Sequence, residues 1–163
     1  MVWLLPQISG WRSMRTIRSR TGFSLIEIVV VLAMTAIITS FAFWRMGPAF
    51  ERAKVRRGAS MLAADLQYAQ MIAARQRKPV VLITVPATKS YFVRDAQVPT
   101  TIYRERFLGA GTDFGLDFFS ATPSTVEIFP NGVTQVTANF QVGLNTNTRN
   151  VKFTRAGQIR ITP

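Results

Sequence analysis

The sequence predicts an α+β fold, with one long N-terminal helix followed by a C-terminal antiparallel β-domain. Three observations lead there. Phe23 to Trp44 is an apolar run of about 22 residues whose only charge is Glu27, long enough to cross the hydrocarbon core of a bilayer as a helix. Val55, Ala59, Leu62, Leu66, Ala69 and Ala73 then recur at alternating spacings of four and three, the stripe of an amphipathic helix. From Pro79 the pattern changes to short runs of β-branched and aromatic residues separated by turn formers, the signature of strands.

Residues 1–22 begin with Trp3, Leu4, Leu5, Pro6 and Trp11. That apolar start is too short to span a membrane and is expected to be unstructured or to lie at its surface. Arg12, Arg15, Arg18 and Arg20 follow, with no acid among them. Basic residues flanking a first apolar helix hold that flank in the cytoplasm, so the remainder of the chain is expected to be exported. Residues 23–46 form the membrane helix, with Trp44 and Arg45 as the aromatic and basic marker of an interface. Thr35, Thr39 and Ser40 are tolerable inside it because their hydroxyls can bond back to the preceding helical turn.

Gly47 and Pro48 are expected to kink or briefly interrupt the helix, since proline lacks the backbone donor and clashes with the turn before it. Residues 47–78 then continue as its amphipathic outer half. The apolar stripe packs on a sheet, while Arg52, Lys54, Arg56, Arg57, Asp65, Gln67, Arg75 and Arg77 fall mostly on other faces. Arg52, Lys54, Arg56 and Arg57 sit just past the interface, either as a solvated face or within reach of lipid headgroups.

Residues 79–163 form the β-rich domain. Strands are expected over Val80–Val85, Tyr91–Arg94, Thr101–Phe107, Thr125–Phe129, Thr134–Val142, Asn150–Thr154 and Gln158–Thr162. Pro130-Asn131-Gly132, Asn145-Thr146-Asn147 and Ala156-Gly157 mark turns. Gly109–Asp117, with Gly109, Gly111 and Gly115, reads as a loop between two sheet halves. These glycines make no phosphate loop, because neither a strand-glycine-helix context nor a Lys-Ser/Thr pair accompanies them.

The 163 residues fit one domain plus an anchor. Of 20 basic and 8 acidic side chains, four basic ones and no acid lie in residues 1–22, so the remainder still carries +8. Such a charge permits contact with nucleic acid or anionic lipid without selecting either. Cysteine and histidine are absent, which removes disulfides, thiolate or imidazole metal sites, and nucleophile-base pairs of the Ser-His or Cys-His kind. Glu51, Asp65, Asp95, Glu105, Asp113, Asp117 and Glu127 are scattered, and they read as solvated surface or salt-bridge partners rather than an acid-base pair. No catalytic residue, metal, cofactor or small-molecule substrate is expected, and a membrane-tethered enzyme or receptor ranks last for that reason.

Glu27 is the informative residue. A carboxylate at membrane depth costs a few kcal/mol and usually faces a protein partner or marks a working site. A secretory signal cut after Ser40-Phe41-Ala42, or a plain single-pass anchor, would also show a basic start and an apolar stretch. The first has a shorter apolar region, and the second leaves Glu27 without a reason.

Gly22, Phe23, Ser24, Leu25, Ile26 and Glu27, with a basic leader ahead and an apolar run behind, resemble the processing motif of type IV prepilins and type II secretion pseudopilins. The resemblance implies cleavage by a prepilin peptidase between Gly22 and Phe23, N-methylation of Phe23, and a role for Glu27 in registering subunits in a filament. It also implies a pilin-like fold, an inner-membrane location with the N-terminus cytoplasmic and the C-terminal domain periplasmic, and other pilins or pseudopilins as partners. Further on, Leu62, Ala64, Asp65, Leu66, Ala69, Gln70, Ile72 and Ala73, then Arg77, Pro79, Val80, Val81 and Leu82, resemble the helix-to-strand passage of the GspH/FimT family. Val126, Ile128, Phe129, Asn131, Gly132, Val151, Phe153, Gly157, Ile159 and Ile161 resemble its last strands.

The resemblance leaves two functions open. One is a minor pseudopilin at the tip of a type II secretion pseudopilus, assisting protein export. The other is a FimT-like minor pilin that primes a type IV pilus or binds DNA for uptake. Family members that bind DNA carry a Gly-Arg-x-Arg motif, and here that place reads Gly157, Gln158, Ile159, Arg160. Arg149, Lys152, Arg155 and Arg160 are the candidate DNA-binding residues, since clustered cations bind phosphates without one fixed motif. Alternation is expected to bring Arg155 and Arg160 together at a sheet end.

Overall fold

The computed structural model describes residues 22–163, without the side chains of residues 42–45. The leader with Arg12, Arg15, Arg18 and Arg20 and the Trp44-Arg45 interface marker therefore lie outside what it describes. Helix α1 runs Leu25–Gln76, and the chain divides into two compact units, Met1–Phe41 and Ala42–Pro163, with α1 contributing to both.

In the first unit every described residue is exposed. Phe23, Leu25, Leu32 and Ile38 show between 63% and 82% of their surface, which water would not tolerate along a free helix. Its hydroxyls are satisfied within the helix: Thr35 donates to the carbonyl of Val31 (2.9 Å), Thr39 to Thr35 (2.6 Å) and Ser40 to Ala36 (2.9 Å). Across Gly47 and Pro48 the helix continues without the expected interruption.

In the second unit α1 buries Val55, Ala59, Leu62, Leu66, Ala69 and Ala73, the stripe read from spacing alone. They meet the inner faces of two antiparallel sheets. The first orders its strands β3 (Ile102–Phe107), β2 (Ser90–Asp95), β1 (Val80–Val85), β5 (Thr125–Ile128), and the second β4 (Phe118–Thr122), β6 (Ala138–Leu144), β7 (Asn147–Phe153), β8 (Ile159–Thr162). Val80, Leu82, Tyr91, Val93, Val126 and Ile128 fill the core from one sheet, and Phe119, Phe140, Val142, Val151 and Phe153 from the other. Where the sheets meet, the Tyr91 and Phe119 rings lie 6.1 Å apart and tilted by 51°, a favourable aromatic geometry. The Gly109–Asp117 loop connects an edge of the first sheet to an edge of the second, as expected of a link between sheet halves.

Three strand expectations need correction, one being that the strand expected over Asn150–Thr154 already begins at Asn147. Phe118–Thr122 forms an eighth strand paired with β6. Thr134–Val142 is a strand only from Ala138: Thr134 makes an isolated bridge to Ile128. Its N–H bonds to the carbonyl of Arg155 (3.0 Å) and its hydroxyl to that of Val136 (2.6 Å), which bends the chain before β6 begins.

Candidate functional site

The head of α1 presents the prepilin-like motif. Gly22, Phe23 and Ser24 precede the helix, and the Ser24 carbonyl accepts the first helical bonds, from the N–H groups of Glu27 (3.0 Å) and Ile28 (3.2 Å). Phe23 is 79% exposed. Glu27 lies exposed in the first turn, where the partial positive charge of the helix terminus favours a carboxylate.

The four candidate DNA-binding cations do not form one cluster. On β7, side chains alternate between faces. Arg149 therefore shares a side with the buried Val151 and Phe153, while Lys152 points out from the opposite, exposed face. Lys152 stands directly across from Arg160 on β8, and Arg160 Nη2 reaches Gln158 Oε1 at 3.4 Å. Arg155, which alternation was expected to bring near Arg160 at a sheet end, is not its cross-strand partner. It sits in the turn beyond the last pair, Phe153 and Ile159, because the Thr154 N–H closes that turn onto the Gln158 carbonyl (2.9 Å). The structure thus brings Lys152 and Arg160 together on the outer face of the second sheet, among Asn139, Gln141 and Asn150. Like charges directly opposite on neighbouring strands are unfavourable by themselves, so the pair presents an unneutralised positive patch.

Arg149 instead lines a separate cleft of about 280 Å³ with Arg52, Val55, Thr146, Asn147, Thr148 and Pro163. A larger open groove of about 630 Å³ runs along α1 between Ala53, Arg57, Met61 and Ala64 and the loop residues Asp113 and Phe114.

Sequence reading gave Asp65 and Asp95 as solvated surface or salt-bridge partners; both are buried, and Asp65 is a salt-bridge partner of Arg104 and Arg106. Asp65 accepts hydrogen bonds from Tyr91 Oη (2.7 Å), Arg104 Nη1 (2.5 Å) and Arg106 Nε (3.1 Å), and the Arg104 guanidinium lies 4.0 Å above the Tyr68 ring. Burial, and next the bond to Asp65, push the Tyr91 hydroxyl well above its ordinary range. The same carboxylate raises Arg104. Asp95 is neither solvated nor salt-bridged. It accepts the N–H groups of Gln97 (2.7 Å) and Val98 (3.0 Å) and the Tyr103 hydroxyl (2.9 Å), and the backbone bonds from Val98 and Gln97 hold its carboxyl below the usual range. Each acid is saturated by donors that tie strands to α1 or close a turn, an arrangement suited to structure rather than proton transfer. Among the described residues no group of three or more acids is placed to hold a metal.

Gln70 belongs to the run that resembles the helix-to-strand passage, but its bonding role is not readable from sequence. Its Nε2 donates to the carbonyls of Gly132 and Gly157, each at 2.9 Å, fastening both turns to α1. Gly157 has φ of 80°, and a Cβ there would stand 2.3 Å from the Gly132 carbonyl oxygen, so this turn requires glycine.

Comparison with known proteins follows these elements. The sequence profile of the prokaryotic N-terminal methylation motif matches residues 17–43. That of the type II transport protein GspH matches residues 58–157. The type IV minor pilin FimU of Pseudomonas aeruginosa strain PAO1 is similar in two crystal forms. In space group P21 the identity is 20% and the TM-score 0.56, over 69% of this chain and 91% of that one. In P65 the values are 18% and 0.53, over 66% and 92%. At these identities the likeness is one of fold. No curated protein matches the chain. With the GspH profile spanning more than half its length and the methylation motif at the head of α1, the chain belongs to the GspH family of pilin-like structural subunits, as a minor pilin or pseudopilin of a type II secretion system or a type IV pilus.

Proposed function

We propose that this protein is a minor pseudopilin, a structural subunit of the periplasmic pseudopilus tip of a type II secretion system, assisting protein export. In this reading a prepilin peptidase cuts between Gly22 and Phe23, and Phe23 becomes the N-methylated first residue. Residues 23–46 cross the bacterial inner membrane once, with the N-terminus cytoplasmic and the β-domain periplasmic. Glu27 pairs with the positive amino terminus of a neighbouring subunit, because an opposite charge in a low dielectric offsets much of the cost of burying the carboxylate. The observation that carries the reading is the motif itself: an exposed Gly22-Phe23 step and Glu27 in the first turn of an apolar helix, in a chain of the GspH family. Mass spectrometry of the membrane-extracted protein tests it. A chain beginning at Phe23 with one added methyl group is expected, and a start at Phe43, after Ala42, would replace the reading with ordinary signal cleavage.

A second reading, a type IV minor pilin that binds DNA, draws on the Lys152–Arg160 pair. The separation of Arg149 from that pair and the Gln158 side chain beside Arg160 favour the secretion reading, since each missing phosphate contact weakens non-specific binding. A low-salt gel-shift titration with duplex DNA separates the two. Retardation that disappears in Lys152→Ala/Arg160→Ala would establish the second reading.

A further inference from the structure

Arg52 on α1 and Arg149 on β7 are 97 positions apart in sequence and face one polar cleft, whose other walls are Val55, Thr146, Asn147, Thr148 and Pro163. Neither guanidinium makes a salt bridge, to the Pro163 carboxylate that also lines the cleft or to any other described acid. Among the described residues both salt bridges end on Asp65, and no carboxylate lies within 4.0 Å of Arg52 or Arg149. The acid next to Arg52 in sequence, Glu51, is already engaged, by the Asn145 amide at 2.7 Å and the Asn147 amide at 3.1 Å. Those bonds hold the β6–β7 turn against α1 and keep the cleft walls in place.

Two arginines lining one small concave space, with two threonines beside them, match the several acceptor oxygens of a phosphate better than the two of a carboxylate. We propose that this cleft binds a phosphate group, supplied either by the headgroup of an anionic lipid or by free phosphate. Arg52 lies seven residues beyond Arg45 along α1, about 10 Å of helix rise, and the polar layer of a bilayer is roughly 5–8 Å deep on each side. A long arginine side chain can cover the remainder. The lipid source rests on the membrane anchoring proposed above, whereas the phosphate chemistry rests on the cleft alone.

The full-length protein in detergent micelles is titrated with inorganic phosphate at constant ionic strength, and its thermal midpoint is followed. The wild type should show a saturable rise, retained in the control Arg75→Gln/Lys78→Gln. Each of Arg52→Gln and Arg149→Gln should weaken the apparent affinity by about tenfold or more, the value of one charge-assisted hydrogen bond, and the pair should abolish saturation. In parallel, native mass spectrometry from nanodiscs mixing phosphatidylglycerol with phosphatidylcholine reads retained lipid. One phosphatidylglycerol kept by the wild type and lost from the double variant identifies the lipid source. A positive phosphate titration without retained phosphatidylglycerol identifies free phosphate. An unsaturable rise shared by all variants would be the general stabilisation that excluded anions confer, and it would overturn the site, as would no response in the wild type.

Discussion

Replacing Asp65 by alanine should destabilise the β-domain by about 3 kcal/mol, and the size follows from its three donors. Breaking a buried ion pair by removing one partner costs about 3–5 kcal/mol. Here Arg104 and Arg106 keep 32% and 35% of their side chains exposed, so water recovers part of that cost and brings their share toward the ~1 kcal/mol of a surface pair. Tyr91 has no such recourse. It is fully buried, and an orphaned hydroxyl costs about 1–3 kcal/mol. Tyr91→Phe alone should cost about 1 kcal/mol, because Asp65 keeps both guanidiniums. Combining the two changes removes the orphan, so the double variant should be more stable than the sum of its parts by about 1–2 kcal/mol. Urea unfolding of the detergent-solubilised chain, followed by near-ultraviolet circular dichroism, measures all four proteins. Each kcal/mol should move the midpoint by about 0.3–1 M. Strict additivity, or an Asp65→Ala midpoint matching the wild type, would refute the account of Asp65 as the acceptor on which the β2–β3 edge is fastened to α1.

Gly157→Ala should cost about 2–4 kcal/mol in the same assay, from the left-handed backbone and from displacing the Gly132 carbonyl; a neutral result would deny that the turn needs glycine. Asp95 has a lowered folded-state pKa, so the stability it contributes is present above the ordinary carboxylate value and is lost as pH falls through the lowered one. Asp95→Asn should therefore flatten the acid limb of a stability profile below about pH 4, and an unchanged limb would count against this role. Glu27→Ala should leave cleavage and membrane insertion intact but impair incorporation into filaments, scored by co-purification with the other pilin-like subunits; full incorporation would sink the registration role. Gln158→Arg should add a third cation beside Arg160 and Lys152, raising DNA affinity at low salt and steepening its salt dependence by about one unit of slope, and no change on gel shift would show that this face does not track phosphates.

Much of the fold was legible because its periods are local. The four-three spacing from Val55 to Ala73 is a property of one helix, and it marked the buried face residue by residue. Strand β4 escaped because only Phe119 along Phe118–Thr122 is fully buried, leaving no alternation to notice beside a glycine-rich loop. Thr134 to Val136 looked like strand from β-branched content, yet the bond that bends it comes from Arg155, which no local pattern reports. Asp65 was partly readable. Three residues after Leu62 and four before Ala69, it shares their arc of helix, and an acid inside a buried arc requires donors from elsewhere. Arg104 and Arg106, two apart on one strand, are placed to supply them.

The site divides along the same line. The motif from Gly22 to Glu27 is contiguous, so its spacing could be read directly. The basic residues could be counted but not grouped. Arg149 and Lys152 are an odd number of positions apart, which already puts them on opposite faces of a strand. Which residue faces Arg160, however, depends on the register of β7 with β8, and the turn at Gly157 sets that register. Gly157 is held there by its own backbone angle, by the Gly132 carbonyl and by Gln70, none of which concerns a ligand. The glycine shared with the DNA-binding motif is thus accounted for by the turn alone. Only the cations that the turn aligns, Lys152 and Arg160, bear on whether this face binds phosphates.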